Sequence, residues 1–177
     1  MKILFFVRHF SYLRNFESVV RELASRGHTL HLSADLEESL GGREMVERIA
    51  QEYPAVTVGW TPIRASGAWS ELTRKLRLGL DYLRFLDSRY DKTPHLRSRA
   101  RWRAPGFIVT LASLPGVRSI VGLKSLAVLL RGFERAVPRS ALLDAYIREH
   151  NPDLILITPL VDLGSPQADH FASARAL

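Results

Sequence analysis

A histidine and an aspartate, each placed shortly after an apolar run, are the residues best suited to acid–base chemistry. His9 follows the apolar residues 3–7, and Asp162 lies in a polar loop after the apolar residues 154–157. Neutral imidazole accepts a proton near neutral pH, and a carboxylate can orient it. A loop histidine can equally serve only as a backbone hydrogen-bond partner. We predict His9 as a candidate general base, with Asp162 supporting it or binding hydroxyl groups.

The two loops also carry side chains suited to binding a hydroxylated or anionic substrate. Hydroxyl, amide and guanidinium groups can hold such a substrate, and backbone amides at the start of a helix can hold an anion. Ser165 has an alternative role, because a serine before Pro166 is a typical N-cap of a helix. The predicted substrate-binding residues are Arg8, Ser11, Tyr12, Arg14, Asn15 and Ser165.

Nucleotide and metal sites are not expected. The first loop has neither the G-x-G-x-x-G pattern nor a P-loop lysine, so a phosphate group is not expected to bind there in the usual way. The chain has no cysteine, which excludes thiolate ligands. His28 and His31 are predicted on one strand but on opposite faces, which is unsuitable for a metal site.

Residues 2–33 organise the chain as strand, loop, helix, turn and strand. Residues 2–7 are apolar on both faces of the predicted strand, which is typical of a central strand in a parallel sheet. The helix is predicted to begin between Ser11 and Asn15 and to end at a left-handed C-cap, Gly27. Ligands bind at the carboxyl ends of such strands, so the first loop is the first place to look for function.

The remaining pattern predicts an α/β fold with a Rossmann-like parallel sheet flanked by helices. A third strand is predicted over 56–60 and a fourth over 154–158, with a helical insertion over about 70–138 between them. We predict one domain over 1–177. The helix predicted over 167–177 has no C-cap, so we expect the natural polypeptide to continue.

Positive charge is concentrated in one helical segment. The net charge is +7, and residues 74–103 contain ten Lys or Arg against three Asp. A charge run is as often a solvated helix face as a binding surface. We expect a cytoplasmic protein. If the basic segment binds, an anionic membrane is favoured over nucleic acid, which would place the protein peripherally at the inner face of the membrane. The predicted contacts are Arg97, Arg99, Arg101, Trp102 and Arg103.

Two segments resemble the glycosyltransferases of the GT-B fold. The first is Leu23-Ala24-Ser25-Arg26-Gly27-His28, and the resemblance around it covers residues 1–33. The second is the segment HNPDLILIT at 150–158, and the resemblance around it covers residues 150–177. The resemblance implies the acceptor-binding half of an enzyme that moves a sugar from a nucleotide-sugar to an acceptor hydroxyl. It implies a small molecule, a glycan or a lipid-linked sugar as acceptor. This half would bind no cofactor and would be inactive alone, because a second Rossmann-like half, absent from this chain, would hold the nucleotide-sugar.

The chain departs from the family at the catalytic position. Many members have a histidine where this chain has Tyr12, and His9 lies three residues earlier. Either the loop is rearranged and His9 is the base, or base catalysis is absent. Two other functions stay open: a non-catalytic module that docks on an anionic membrane or nucleic acid, and the first half of a sugar-nucleotide epimerase.

Overall fold

The computed structural model describes residues 1–62, 68–159 and 162–177. The chain divides into two compact units, and each is described by itself. Unit 1 consists of Met1–Arg64, Arg139–Leu160 and Pro166–Leu177, and unit 2 of Ala65–Pro138 and Val161–Ser165. Residues 160–161 of the predicted second loop lie outside the described residues.

Unit 1 is built on a four-stranded parallel sheet. Its strands are β1 (Lys2–Val7), β2 (Thr29–Ala34), β3 (Val56–Trp60) and β4 (Leu154–Thr158), in the order β3-β2-β1-β4. In the register, Phe5 lies opposite Leu32 of β2 and Leu156 of β4. The α/β fold with a Rossmann-like parallel sheet is therefore confirmed. The apolar run of β1 is explained because β1 is covered on both faces.

Helices surround this sheet and make up the insertion. Two 3₁₀ helices span Phe10–Phe16 and Ser88–Tyr90. The α-helices of the described residues are α1 (Glu17–Ser25), α2 (Gly42–Glu52), α3 (Ala68–Phe85), α4 (Pro94–Arg103), α5 (Gly106–Ser113), α6 (Ile120–Ala136), α7 (Ala141–His150) and α8 (Ala168–Ala174). No helix among these described residues is long and apolar enough to cross a membrane.

The start of the first helix was predicted wrongly. The chain forms a 3₁₀ helix from Phe10 to Phe16, and α1 begins only at Glu17. Phe10 and Leu13 are both buried. A spacing of three residues places two side chains on one side of a 3₁₀ helix, which has three residues per turn. The first loop is therefore short, and Gly27 follows α1 with φ of 79°, as predicted for a C-cap.

The two faces of the sheet have different cores. On one face, Phe5, Leu32 and Val46 belong to a large apolar cluster that α1 and α2 cover. On the other face, Leu4 and Phe6 pack with Leu143 and Ile147 of α7. Each face buries alternate residues of β1, as the period of a strand requires.

Helix α8 starts later than predicted. Gln167 occupies the N-cap position and α8 begins at Ala168, so the predicted N-cap role of Ser165 is wrong. The side-chain amide of Gln167 instead donates a hydrogen bond to the carbonyl oxygen of Thr158 at 2.8 Å. This bond ties the start of α8 to the end of β4.

Unit 2 is organised around α3, against which α4, α5 and α6 pack. Leu76, Tyr82 and Phe85 of α3 are buried together with Ile108 of α5 and Leu130 of α6. Two of these, Tyr82 and Phe85, lie within the basic segment, and both belong to the core of unit 2. Leu72, near the start of α3, is exposed.

Candidate functional site

His9 lies just beyond the carboxyl end of the central strand. β1 ends at Val7, and His9 occupies the N-cap position of the following 3₁₀ helix in an extended conformation. Its Nδ1 atom forms a hydrogen bond with the hydroxyl of Ser11, and the ring centroids of His9 and Tyr12 are 4.4 Å apart. Three of the residues predicted from the sequence are thus brought together.

The environment of His9 keeps its imidazole neutral. Partial burial lowers the pKa of His9 from its ordinary value of 6.5, and the charge of Arg8 acts in the same direction. The carboxylate of Glu38 raises the pKa but does not cancel the effect of burial. A histidine with a lowered pKa is unprotonated at neutral pH, which is the state that a general base requires.

The loop after β2 supports the loop after β1. The carboxylate of Glu38 accepts hydrogen bonds from the backbone amide of Gly42 at 2.9 Å and from that of Leu40. The guanidinium of Arg14 donates to the carbonyl oxygen of Leu40. Arg14 therefore fixes loop geometry, whereas Asn15, another predicted binding residue, is exposed beside it.

The other predicted site residues, Asp162 and Ser165, belong to the short segment of unit 2. Asp81 of α3 accepts a hydrogen bond from the backbone amide of Gly164 at 2.8 Å. The carbonyl oxygen of Ser165 accepts one from the guanidinium of Arg77 at 3.0 Å. These bonds fix the segment on α3. The predicted partnership of Asp162 with His9 stays a prediction.

A buried Asp–His pair at the same edge of the sheet was missed from the sequence. Asp35 directly follows β2, and its Oδ1 atom lies 2.9 Å from Nε2 of His170 in α8. The two side chains are 6% and 7% exposed, and the ring of Phe6 meets His170 edge-on at 4.6 Å. The pair holds α8 against the sheet and orients the imidazole, the arrangement that proton-transfer sites use.

Two atoms of this pair make no hydrogen bond within the described part of the chain. They are Oδ2 of Asp35 and Nδ1 of His170, and both are buried. Because these atoms are inaccessible in this conformation, we assign the pair a structural role. A signal existed in the sequence: Asp35 follows an apolar strand, as His9 does.

A hydrogen-bonded polar chain covers the same face of β2. His31 bonds to the hydroxyl of Thr57 at 2.7 Å and to that of Tyr146 at 2.8 Å. Tyr146 bonds to Ser33 at 2.9 Å, and Ser33 bonds to Thr61 at 2.8 Å. The chain satisfies polar side chains on three elements, and a neutral His31 fits it by donating through one ring nitrogen and accepting through the other.

Acid is expected to destabilise unit 1 through His31. Burial, and secondarily the charge of His150, lower the pKa of His31 to about 4, whereas the unfolded chain protonates near 6.5. Protonation therefore favours the unfolded state as the pH falls from about 6.5 to about 4. Solvent screening reduces this effect because His31 is half-exposed, so the expected loss in the free energy of unfolding is about 1–2 kcal/mol.

Urea unfolding at about pH 7.5 and about pH 4.5 measures this loss. The variant His31→Gln should lose less stability on acidification than the native chain. The exposed His95 offers a matched variant, His95→Gln, which should keep the native pH dependence. Identical pH dependence in all three proteins would contradict the role of His31.

The predicted anion contacts lie on α4 and differ from one another. Arg97 forms an ion pair with Asp91 at 2.6 Å and donates to the carbonyl oxygen of Phe85 at 3.0 Å, so it is engaged within unit 2. The remaining predicted contacts, Arg99, Arg101, Trp102 and Arg103, are exposed. Trp102 is 86% exposed, which confirms that it is not a core residue.

Known proteins give no direct guide to the chemistry. Comparison of the chain with protein-family models, with curated proteins and with solved structures found no match. Over the residues that the structure describes, His, Asp and Glu side chains form no group of three or more that could hold a metal ion. The function is therefore inferred from the fold and from the side chains at the edge of the sheet.

Proposed function

We propose that this chain is the acceptor-binding half of a GT-B glycosyltransferase, which moves a sugar from a nucleotide-sugar to an acceptor hydroxyl. The observation that supports this most is the placement of His9, with a lowered pKa, just beyond the central parallel strand. Ligands of parallel α/β sheets bind at this edge. A second Rossmann-like domain would hold the nucleotide-sugar.

The proposed acceptor is a small molecule, a glycan or a lipid-linked sugar. Arg8, Ser11 and Tyr12 lie next to His9 along the chain. They offer a cation and two hydroxyls to the polar groups of the acceptor. The guanidinium donates to sugar hydroxyls, and the two hydroxyls donate or accept, which is the chemistry that orients a polyol.

In the proposed reaction, His9 takes the proton of the acceptor hydroxyl. Nδ1–H of His9 donates to Ser11 in the tautomer that this step requires, so Nε2 is the atom that accepts the proton. The acceptor oxygen forms a bond to the anomeric carbon as the bond from that carbon to the phosphate oxygen breaks. The nucleoside diphosphate leaves with the electron pair of the broken bond.

An assay of nucleoside diphosphate release tests this function. The natural polypeptide that contains these residues is incubated with uridine-, guanosine- and adenosine-linked sugars, with and without a panel of acceptors. We expect release that depends on the acceptor, and binding of the same acceptor to the 177-residue chain by ligand-observed NMR. Conversion of a nucleotide-sugar to its epimer without an acceptor would instead identify a sugar-nucleotide epimerase.

The proposal includes a cytoplasmic location. Fractionation of cells that express the natural polypeptide tests this part separately, because it does not depend on turnover. Recovery of the protein from the cytoplasmic fraction or from the inner face of the membrane would support it, and recovery from an extracytoplasmic fraction would overturn it.

A further inference from the structure

One long stretch of unit 2 is basic and contains no acidic residue. Between Asp91 and Glu134 the sequence has eight Lys or Arg and neither Asp nor Glu. This stretch includes α4, α5 and most of α6. A segment with a single sign of charge attracts a partner of the opposite sign.

The same stretch exposes large apolar side chains. Trp102, Ile120 and Val121 are 86%, 74% and 73% exposed, and Phe107 and Val128 are exposed by more than half. Single exposed apolar residues are ordinary, but a concentration of them in one segment marks an interaction surface. This surface joins the end of α4 to α5 and to the start of α6 along the chain.

Helix α6 is apolar on two sides. Its inner side packs Leu123, Leu126 and Leu130 into the core of unit 2. Its outer side exposes Val121 and Val128, which lie seven residues apart and so on one side of the helix. The inner side already meets the needs of the core, so exposed apolar residues on the outer side indicate a surface that has a partner.

The exposed arginines of α4 are available for such a partner. Arg99, Arg101 and Arg103 are exposed and form no ion pair among the described residues. Earlier arginines of the basic segment differ, because Arg84 and Arg89 pair with Asp81 and Asp87. The positive charge that is not neutralised is thus next to Trp102.

We propose that unit 2 docks on an anionic phospholipid membrane through the end of α4, α5 and the outer side of α6. Trp102, Phe107 and the aliphatic residues of α6 would enter the boundary between headgroups and acyl chains. Arg101 and Arg103 would contact lipid phosphates. Apolar side chains combined with exclusively basic ones are typical of helices that lie in a membrane interface.

Charge and apolar exposure together select lipid over nucleic acid. Arginines alone would suit either polyanion. Exposed aliphatic residues such as Ile120, Val121 and Val128 have no stacking or hydrogen-bonding partner on single-stranded nucleic acid. The acyl boundary of a membrane accommodates them. This inference does not depend on the proposed glycosyltransferase activity.

Co-sedimentation of the full chain with vesicles tests the proposal. Vesicles of pure phosphatidylcholine are compared with vesicles that contain about 30% phosphatidylglycerol, at low and high salt. We expect binding to the anionic vesicles that weakens with salt, and little binding to the neutral ones. Absence of binding to the anionic vesicles at low salt would overturn the proposal.

A triple variant tests the arginines. Each basic residue at an anionic surface contributes about a fivefold effect on partition, so Arg99→Gln, Arg101→Gln and Arg103→Gln together should weaken binding by about a hundredfold. A matched variant removes the same charge from unit 1, at the exposed Arg26, Arg48 and Arg175, and should bind within about threefold of the native chain. An equal loss in both would overturn the proposed surface.

A double variant tests the apolar part. Ile120→Ser with Val121→Ser should weaken binding to anionic vesicles, and circular dichroism confirms the fold of each variant. The matched change is Val19→Ser with Leu142→Ser, at exposed apolar positions on the helices of unit 1. If the double variant binds as tightly as its matched control, or if an oligonucleotide binds more tightly than the anionic vesicles, membrane docking is refuted.

Discussion

Replacing His9 with alanine is expected to lower the rate of sugar transfer by about a hundredfold or more, because a positioned base contributes about 10²–10⁴. The acceptor should bind almost as before, because Arg8, Ser11 and Tyr12 remain. Steady-state kinetics should therefore show a fall in kcat with a nearly constant KM. This separation distinguishes a loss of proton transfer from a loss of substrate binding.

The pH dependence of the rate gives a second measurement of the same role. The base works only when unprotonated, so kcat/KM should fall as the pH drops through the pKa of His9. Burial lowers that pKa, so the acid limb should lie below about 6.5, the ordinary value for histidine. The remaining activity of His9→Ala should lack this limb.

Two variants control for indirect effects on the rate. His95 is exposed on α4, and His95→Ala should leave kcat unchanged. Tyr12→Phe removes the hydroxyl at the position where many GT-B enzymes, which the sequence resembles, carry a histidine, and it should have a smaller effect than His9→Ala. If His9→Ala retains native turnover while the acceptor still binds, His9 is not the base.

The strands could be predicted because their burial is visible in the sequence. β1, β3 and β4 have the predicted bounds, since each is a run of apolar or β-branched residues between turn signals. The 3₁₀ helix was not predicted, because the position of Leu13 fits both the three-residue period of a 3₁₀ helix and the three- and four-residue steps of an α-helix. Which one forms is decided by the packing of Phe10 and Leu13 into the core.

The candidate site could be predicted only where its residues are close in sequence. His9, Ser11 and Tyr12 lie together at the start of the 3₁₀ helix, and the sequence identified all three. Asp35 and His170 are separated by 135 residues, so only the fold brings them together. The alternation of His31 and Ser33 along β2, continued by Asp35 directly after it, was a usable signal, because residues two apart on a strand share a face.

The outer side of α6 was hidden for a different reason. The sequence of α6 has apolar residues on two sides of the helix, and the packing of the helices around α3 decides which of them are covered. The arginines and Trp102 were recognised because their residue types are unusual together. The apolar residues that complete the surface, such as Ile120 and Val128, became visible only from their exposure.

Replacing Gly42 with alanine is expected to destabilise unit 1 by about 3 kcal/mol, near the upper end for overpacking. Gly42 begins α2, and a Cβ atom there would lie 2.2 Å from the backbone nitrogen of Ser11 and 2.6 Å from the carbonyl carbon of Phe10. These are backbone atoms, which cannot rotate away as a side chain can. The loop that carries His9 would have to move.

A glycine on α6 provides the matched control for this substitution. Nothing lies within 4 Å of a Cβ built at Gly132, so Gly132→Ala should stabilise the protein by about 0.5–1 kcal/mol through helix propensity. Urea unfolding measures both effects, and the NMR shift of the His9 ring should change only in Gly42→Ala. Because the first loop is held by this backbone contact, Gly42→Ala should also lower the transfer rate. Equal stability of the two variants would show that Gly42 of α2 is not in close contact with the backbone of the first loop.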